Sequence, residues 1–145
     1  MTITKATLKD LNELAPLFDG YRVFYKQTSN IEAATQFLKQ RLVQNDSVLY
    51  IAFADSKSVG FMQLYPLFSS VSMQPMYVLN DLFIASNYRN QGIGKALIDK
   101  AKALCKEEQN KGLAIQTGFD NPAQQLYQRL GFEKDSDLHF FWTNN

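Results

Sequence analysis

The stretch Tyr88–Leu97, YRNQGIGKAL, places an arginine and then two glycines, one residue apart, at the front of a helical pattern. A glycine inside a helix costs about 0.5–1 kcal/mol relative to alanine. Such bareness at a nucleation point implies that something must approach the backbone closely. The apolar residues Ile93, Ala96, Leu97, Ala101, Leu104 and Cys105 recur on one face, which predicts a helix over 92–109. The apolar run YVLNDLFI, Tyr77–Ile84, reads as the strand feeding it. A helix N-terminus carries unpaired N–H groups and about half a positive charge, so a strand, two glycines and a helix in that order suit a phosphate. Arg89 adds a cation at the rim.

Two other phosphate motifs do not match. A P-loop would put glycine where Arg89 stands and a hydroxyl where Ala96 stands. A dinucleotide fingerprint would carry a third small residue at the position of Leu97.

Working outward, Ile3–Ala6 reads as a short strand. Leu8, Leu11, Leu14, Ala15, Leu17 and Phe18 follow at helical spacing, with Gly20 expected to interrupt the helix. Tyr21, Phe24 and Tyr25 share a face of the next turn, and Ile31–Val43 is a second amphipathic helix. Val48–Phe53 and Val59–Tyr65 form a hairpin across DSKS, and PLFSSVS, Pro66–Ser72, reads as a turn. Beyond the long helix come a strand at Leu113–Thr117, a helix at Pro122–Leu130 stopped by Gly131, and a final strand through HFFW. Strands flanked by helices, with an antiparallel hairpin early on, define an α/β or α+β fold with one mixed, mostly antiparallel sheet.

A length of 145 residues fits a single domain, 1–145, with its own core, and no linker, repeat or low-complexity tract divides it. A formal net charge of +1 gives no bulk attraction to nucleic acid. The lone Cys105 cannot build a disulfide framework, and no stretch is long and apolar enough to span a membrane. With no signal-peptide pattern at the start, the expected location is cytoplasmic, with no membrane and no nucleic-acid partner. Cys105 belongs to the buried helix face and His139 to an aromatic strand; both read as structural, and no metal is expected.

About thirty residues after the glycines comes a second pattern, NPAQQLYQRLGF, Asn121–Phe132. Together, Arg89-x-x-Gly92-x-Gly94 and Asn121-Pro-Ala-Gln-Gln-Leu-Tyr127-Gln-Arg-Leu-Gly131-Phe132 resemble the two signatures of the Gcn5-related N-acetyltransferase (GNAT) superfamily. The element order is similar over essentially the whole chain, most specifically from Tyr77 to Phe132. Within that superfamily the chain resembles small bacterial acetyltransferases.

The resemblance implies an acetyl-CoA-dependent N-acetyltransferase, acting by direct attack of a small-molecule primary amine, amino acid or polyamine-like, on the thioester. It implies that Arg89, Asn90, Gln91, Gly92, Ile93, Gly94, Lys95 and Ala96 cradle the pyrophosphate of coenzyme A, mainly through backbone amides. Leu82, Phe83 and Ile84 would meet the pantetheine arm and acetyl group, and Asn121 would hydrogen-bond that arm. Tyr127 matches the tyrosine that protonates the leaving thiolate. On the amine side, polyamine enzymes carry two acidic residues where this chain has Asn80 and Asp81. Asn80 cannot accept a proton, so Asp81 is the candidate for holding or deprotonating the amine. Tyr21, Arg22, Tyr25 and Phe68 complete the candidate acceptor wall, Arg22 being suited to a substrate carboxylate. Two further readings stay open, a protein or peptide acetyltransferase and a non-catalytic acyl-CoA sensor. Related small acetyltransferases often pair through C-terminal strands, so a homodimer through Leu138–Trp142 is expected.

Overall fold

The structure is a computed structural model describing all 145 residues. Five strands, β1 (Thr2–Lys5), β2 (Val48–Ala54), β3 (Lys57–Ser69), β4 (Gln74–Ile84) and β5 (Leu113–Ile115), form one sheet in the order β1-β2-β3-β4-β5. The first three pairings are antiparallel and β4 with β5 is parallel. Helices α1 (Leu11–Phe24) and α2 (Ile31–Gln44) lie between β1 and β2 in the chain. Helix α3 (Ile93–Glu107) makes the crossover that a parallel pair requires, and α4 (Ala123–Arg129) follows β5. The mixed, mostly antiparallel sheet flanked by helices is the expected fold.

Alternation along the strands builds two cores. Leu49, Ile51 and Phe61 turn to Leu14, Phe18 and Leu38 of α1 and α2. Tyr50, Ala52, Met62 and Leu64 turn the other way, to Ile93, Leu97, Ile98 and Ala101 of α3. A sheet covered on both faces accounts for the nearly continuous apolar run VLYIAF.

Four local expectations are corrected. Gly20 does not interrupt α1, which runs unbroken from Leu11 to Phe24. A Cβ on Gly20 would stand 3.1 Å from the Phe83 ring, so this glycine admits a neighbouring aromatic. PLFSSVS is not all turn, since β3 continues through Pro66 to Ser69, paired with Tyr77 to Gln74 of β4. Beyond Leu64 no β2 residue pairs with β3, so the missing N–H of Pro66 interrupts no ladder on that side. Strand β5 is only three residues long, shorter than the expected Leu113–Thr117. The C-terminal HFFW forms no strand, and Leu138, Phe140, Phe141 and Trp142 are 80–87% exposed. A three-residue β5 offers little backbone to template another strand.

Candidate active site

Strand β4 carries the feature that organises the site. Its register with β3 pairs Asp81 with Gln63 and then Leu79 with Leu64, leaving Asn80 as an extra residue. A bulge of one residue reverses the faces that follow it. Leu79 therefore points into the α3 core, whereas Asp81 and Phe83 share the α1 face.

That reversal buries a carboxylate. Asp81 is 2% exposed and Gln63 is fully buried. Gln63 Nε2 donates to Asp81 Oδ2 at 2.6 Å, Asn80 Nδ2 donates to Oδ1 at 2.7 Å, and Ser47 Oγ donates to Gln63 Oε1 at 2.8 Å. Desolvation pushes the Asp81 pKa up, opposed by the hydrogen bonds from Asn80 and Gln63. The Tyr21 hydroxyl donates to the Asn80 carbonyl at 3.0 Å and lies beside the Asp81 carboxylate. Burial, and secondarily the Asp81 charge, raises the pKa of Tyr21 strongly and that of Tyr65 to about 12. Gln63 was legible only as a polar residue inside the apolar run VGFMQLY, a position that demands a buried partner.

Tyr21 of α1 and Tyr25, the residue just past its end, form the facing wall. The Tyr21 ring meets Phe61 edge-on at 5.8 Å and Tyr25 at 5.0 Å, which fixes its hydroxyl over β4. Between these rings, Asn80 and the segment Gln116–Gly118 after β5 lies a cavity of about 310 Å³. Tyr127 of α4 packs edge-on against Phe132 at 6.1 Å. Burial raises the pKa of its hydroxyl, with Tyr25 a lesser cause, and so keeps it protonated.

The α1–α2 loop is held from below. Asp19 accepts from Ser29 Oγ at 2.6 Å and from the Asn30 amide at 2.7 Å, while Arg22 Nη1 donates to the Thr28 carbonyl at 3.1 Å. Arg22 is thus engaged with the loop, and the cavity wall does not include it. Phe68 is likewise not brought to the cluster. It pairs with Pro75, five residues along β3 from Gln63, and is 77% exposed.

Beside the bulge the sheet opens. Strand β5 pairs only with Tyr77–Leu79, so β4 from Asn80 to Ile84 has no strand on that edge. Arg89 Nε donates to the Ile84 carbonyl at 2.9 Å, and its guanidinium lies 5.5 Å from the Phe24 ring centre and 5.6 Å from that of Phe83. Arg89 therefore anchors the end of β4 between two aromatic rings. The chain then turns through Asn90 at φ 61° and Gly92 at φ 84° into α3. Gly92 caps α3 without a side-chain hydrogen bond, and the first amide bonded back to it is that of Ala96. The amides of Ile93, Gly94 and Lys95 have no partner within the helix. A Cβ at Gly92 or Gly94 would meet nothing within 4 Å, so the ground above those amides is open. Lys95 pairs with Asp99 at 2.8 Å, and Gln91 Nε2 donates to the Asn87 carbonyl at 3.4 Å. Asn121 Oδ1 accepts from the Ala123 amide at 2.9 Å and starts α4.

An open strand edge thus leads to an uncapped, glycine-led helix suited to an anionic ligand, with a buried carboxylate at the bulge. The comparisons with known proteins give the class of protein. The model of the acetyltransferase (GNAT) family matches residues 12–132. An uncharacterised N-acetyltransferase of Bacillus subtilis is 41% identical over 145 residues, covering 99% of this chain and 97% of that protein. A probable acetyltransferase of Haemophilus influenzae is 34% identical over 134 residues, covering 92% of this chain and 88% of the other. The crystal structure of a probable acetyltransferase superposes with a TM-score of 0.92 at 38% identity, covering 100% of this chain and 98% of that one. The chain belongs to the acetyltransferase (GNAT) family and is an N-acetyltransferase.

Proposed function

We propose that the protein transfers an acetyl group from acetyl-CoA to the primary amine of a small molecule by direct attack. The observation that carries this reading is the junction at Asn80. There the open edge of β4, the tyrosine-walled cavity and the buried Asp81 carboxylate adjoin.

The residues fit the donor. The three free amides at the start of α3 and the open space above Gly92 and Gly94 suit a pyrophosphate, and the unpaired edge around Leu82 and Phe83 suits a pantetheine amide. The family resemblance would add Asn121 and Ile84 to the contacts of the pantetheine arm. Acetyl-CoA supplies an activated thioester. The amine nitrogen bonds to the acetyl carbon as the carbon–sulfur bond breaks. Before that attack the acceptor's ammonium gives a proton, by way of the Tyr21 hydroxyl, to Asp81, whose raised pKa makes it a stronger base than an exposed aspartate, and the second nitrogen proton leaves to solvent as the amide forms. Tyr127, held protonated by burial, gives its proton to the leaving sulfur. No nucleophilic side chain is needed, and Cys105 stays in the α3 core, 3.7 Å from the Gly112 carbonyl.

The exposed Leu138, Phe140, Phe141 and Trp142 support a homodimer in which a second copy covers them. The catalytic reading is tested by incubating the protein with acetyl-CoA and a mixed panel of amines, amino acids and lysine peptides, detecting products by mass. Acetylated small amines, lost in Asp81→Asn, support it; acetylation of peptides alone would replace the small-molecule acceptor by a protein.

A further inference from the structure

The cavity beside Asn80 constrains its occupant by charge as well as by size. Its wall presents the Tyr21 and Tyr25 rings and Val78, with Leu79 turned away into the α3 core, and none of its lining residues is charged. A volume of about 310 Å³ is at the small end of ligand sites. Negative potential comes from the Asp81 carboxylate behind Asn80, and the aromatic rings of Tyr21 and Tyr25 stand in the wall beside it. Thr117 also stands in the wall, its hydroxyl buried with no hydrogen-bond partner.

The cations one would enlist for a carboxylate are committed elsewhere. Arg22 holds the Thr28 carbonyl, Arg89 holds the Ile84 carbonyl between Phe24 and Phe83, and Lys95 pairs with Asp99. A carboxylate placed in this cavity would meet aromatic rings and a like charge and would shed its hydration without compensation.

We infer that the acceptor is a small amine bearing one positive charge and no carboxylate, with an apolar or aromatic body, rather than an amino acid or a polyamine. This rests on the acetyl-transfer reading above and narrows it. A single ammonium is matched by the single carboxylate, and a second cationic centre would find no partner in the wall.

The test uses pairs that differ only in the carboxylate: phenethylamine with phenylalanine, tyramine with tyrosine, and histamine with histidine, plus cadaverine as a dication. Acetyl products are followed by mass, and acetyl-CoA binding is measured by calorimetry on the same protein. The carboxylate-free member of at least one pair should have a kcat/KM more than tenfold higher than its partner and than cadaverine. Substituting Gln116→Arg, which adds a cation to the wall, should narrow that ratio. Equal or better use of the amino acids, or preference for cadaverine, overturns the inference. So does the absence of product from every pair while acetyl-CoA binds. Failure to bind acetyl-CoA would instead overturn the underlying reading.

Discussion

Gln63 and Asp81 face each other across the β3–β4 bulge, the amide donating to the carboxylate at 2.6 Å with both side chains buried. The pair lies where one extra residue, Asn80, rotates β4 by one face. A carboxylate that the strand's simple alternation would have sent toward α3 is thereby placed beneath Tyr21 of α1.

Replacing Asp81 by asparagine separates its proposed catalytic role from its structural one. Loss of a positioned base typically lowers turnover by about 10²–10⁴-fold. The folded-state pKa of Asp81 lies above the ordinary carboxylate value of 3.8, so folding favours its protonated form. Its contribution to stability is complete below that ordinary value and is lost as pH rises through the folded-state pKa. Asp81→Asn should therefore match or exceed the parent in Tm at pH 7, with the difference vanishing at low pH. Thermal melts from pH 3 to 8 check this, and a clearly lower Tm at neutral pH would refute it.

Gln63→Leu removes one of the donors that stabilise the charged form. The Asp81 pKa should rise further, moving the acidic limb of the kcat/KM profile to higher pH. An unsatisfied buried carboxylate costs about 1–3 kcal/mol, so denaturant melts should show a loss of that order. A pH profile that stays in place would detach Asp81 from the chemistry.

Tyr127→Phe removes a proton that burial holds on the hydroxyl. The expected outcome is a lower kcat with acetyl-CoA affinity nearly unchanged, measured by steady-state kinetics and calorimetry. Unaltered turnover at every pH would assign the acid to another group.

The two glycines of the cradle should respond differently. Gly94 lies in the first turn of α3, and a side chain there would begin in open space, with nothing within 4 Å of its Cβ, so Gly94→Leu should preserve or raise Tm while abolishing acetyl-CoA binding. Gly92 has φ 84°, and Gly92→Ala should cost about 1–2 kcal/mol through backbone strain. Normal acetyl-CoA affinity in Gly94→Leu would remove the cradle assignment.

If a second copy covers the C-terminal aromatics, sedimentation should show a dimer, and truncation after Asp137 should return a monomer with unchanged secondary structure. A monomeric full-length chain would show that the tail does not mediate self-association.

Much of this protein was legible before folding was considered. The two glycine-bearing motifs, the amphipathic face of α3 and the order of elements are written in nearest-neighbour patterns. Capping, helical period and strand alternation operate within a few residues, so sequence alone determined the family resemblance and singled out the glycine-led start of α3 as the candidate donor cradle. The tertiary structure decided what depends on pairing between distant segments. Gly20 reads as a helix breaker until Phe83 is seen against it, and the hydrogen bond from Arg22 to the Thr28 carbonyl appears only once the loop folds back. The partnership of Gln63 with Asp81 depends on a one-residue register shift between strands, which no local signal announces. Because that shift sets which face a side chain occupies, only the folded sheet could place the carboxylate beneath Tyr21, behind the cavity at Asn80.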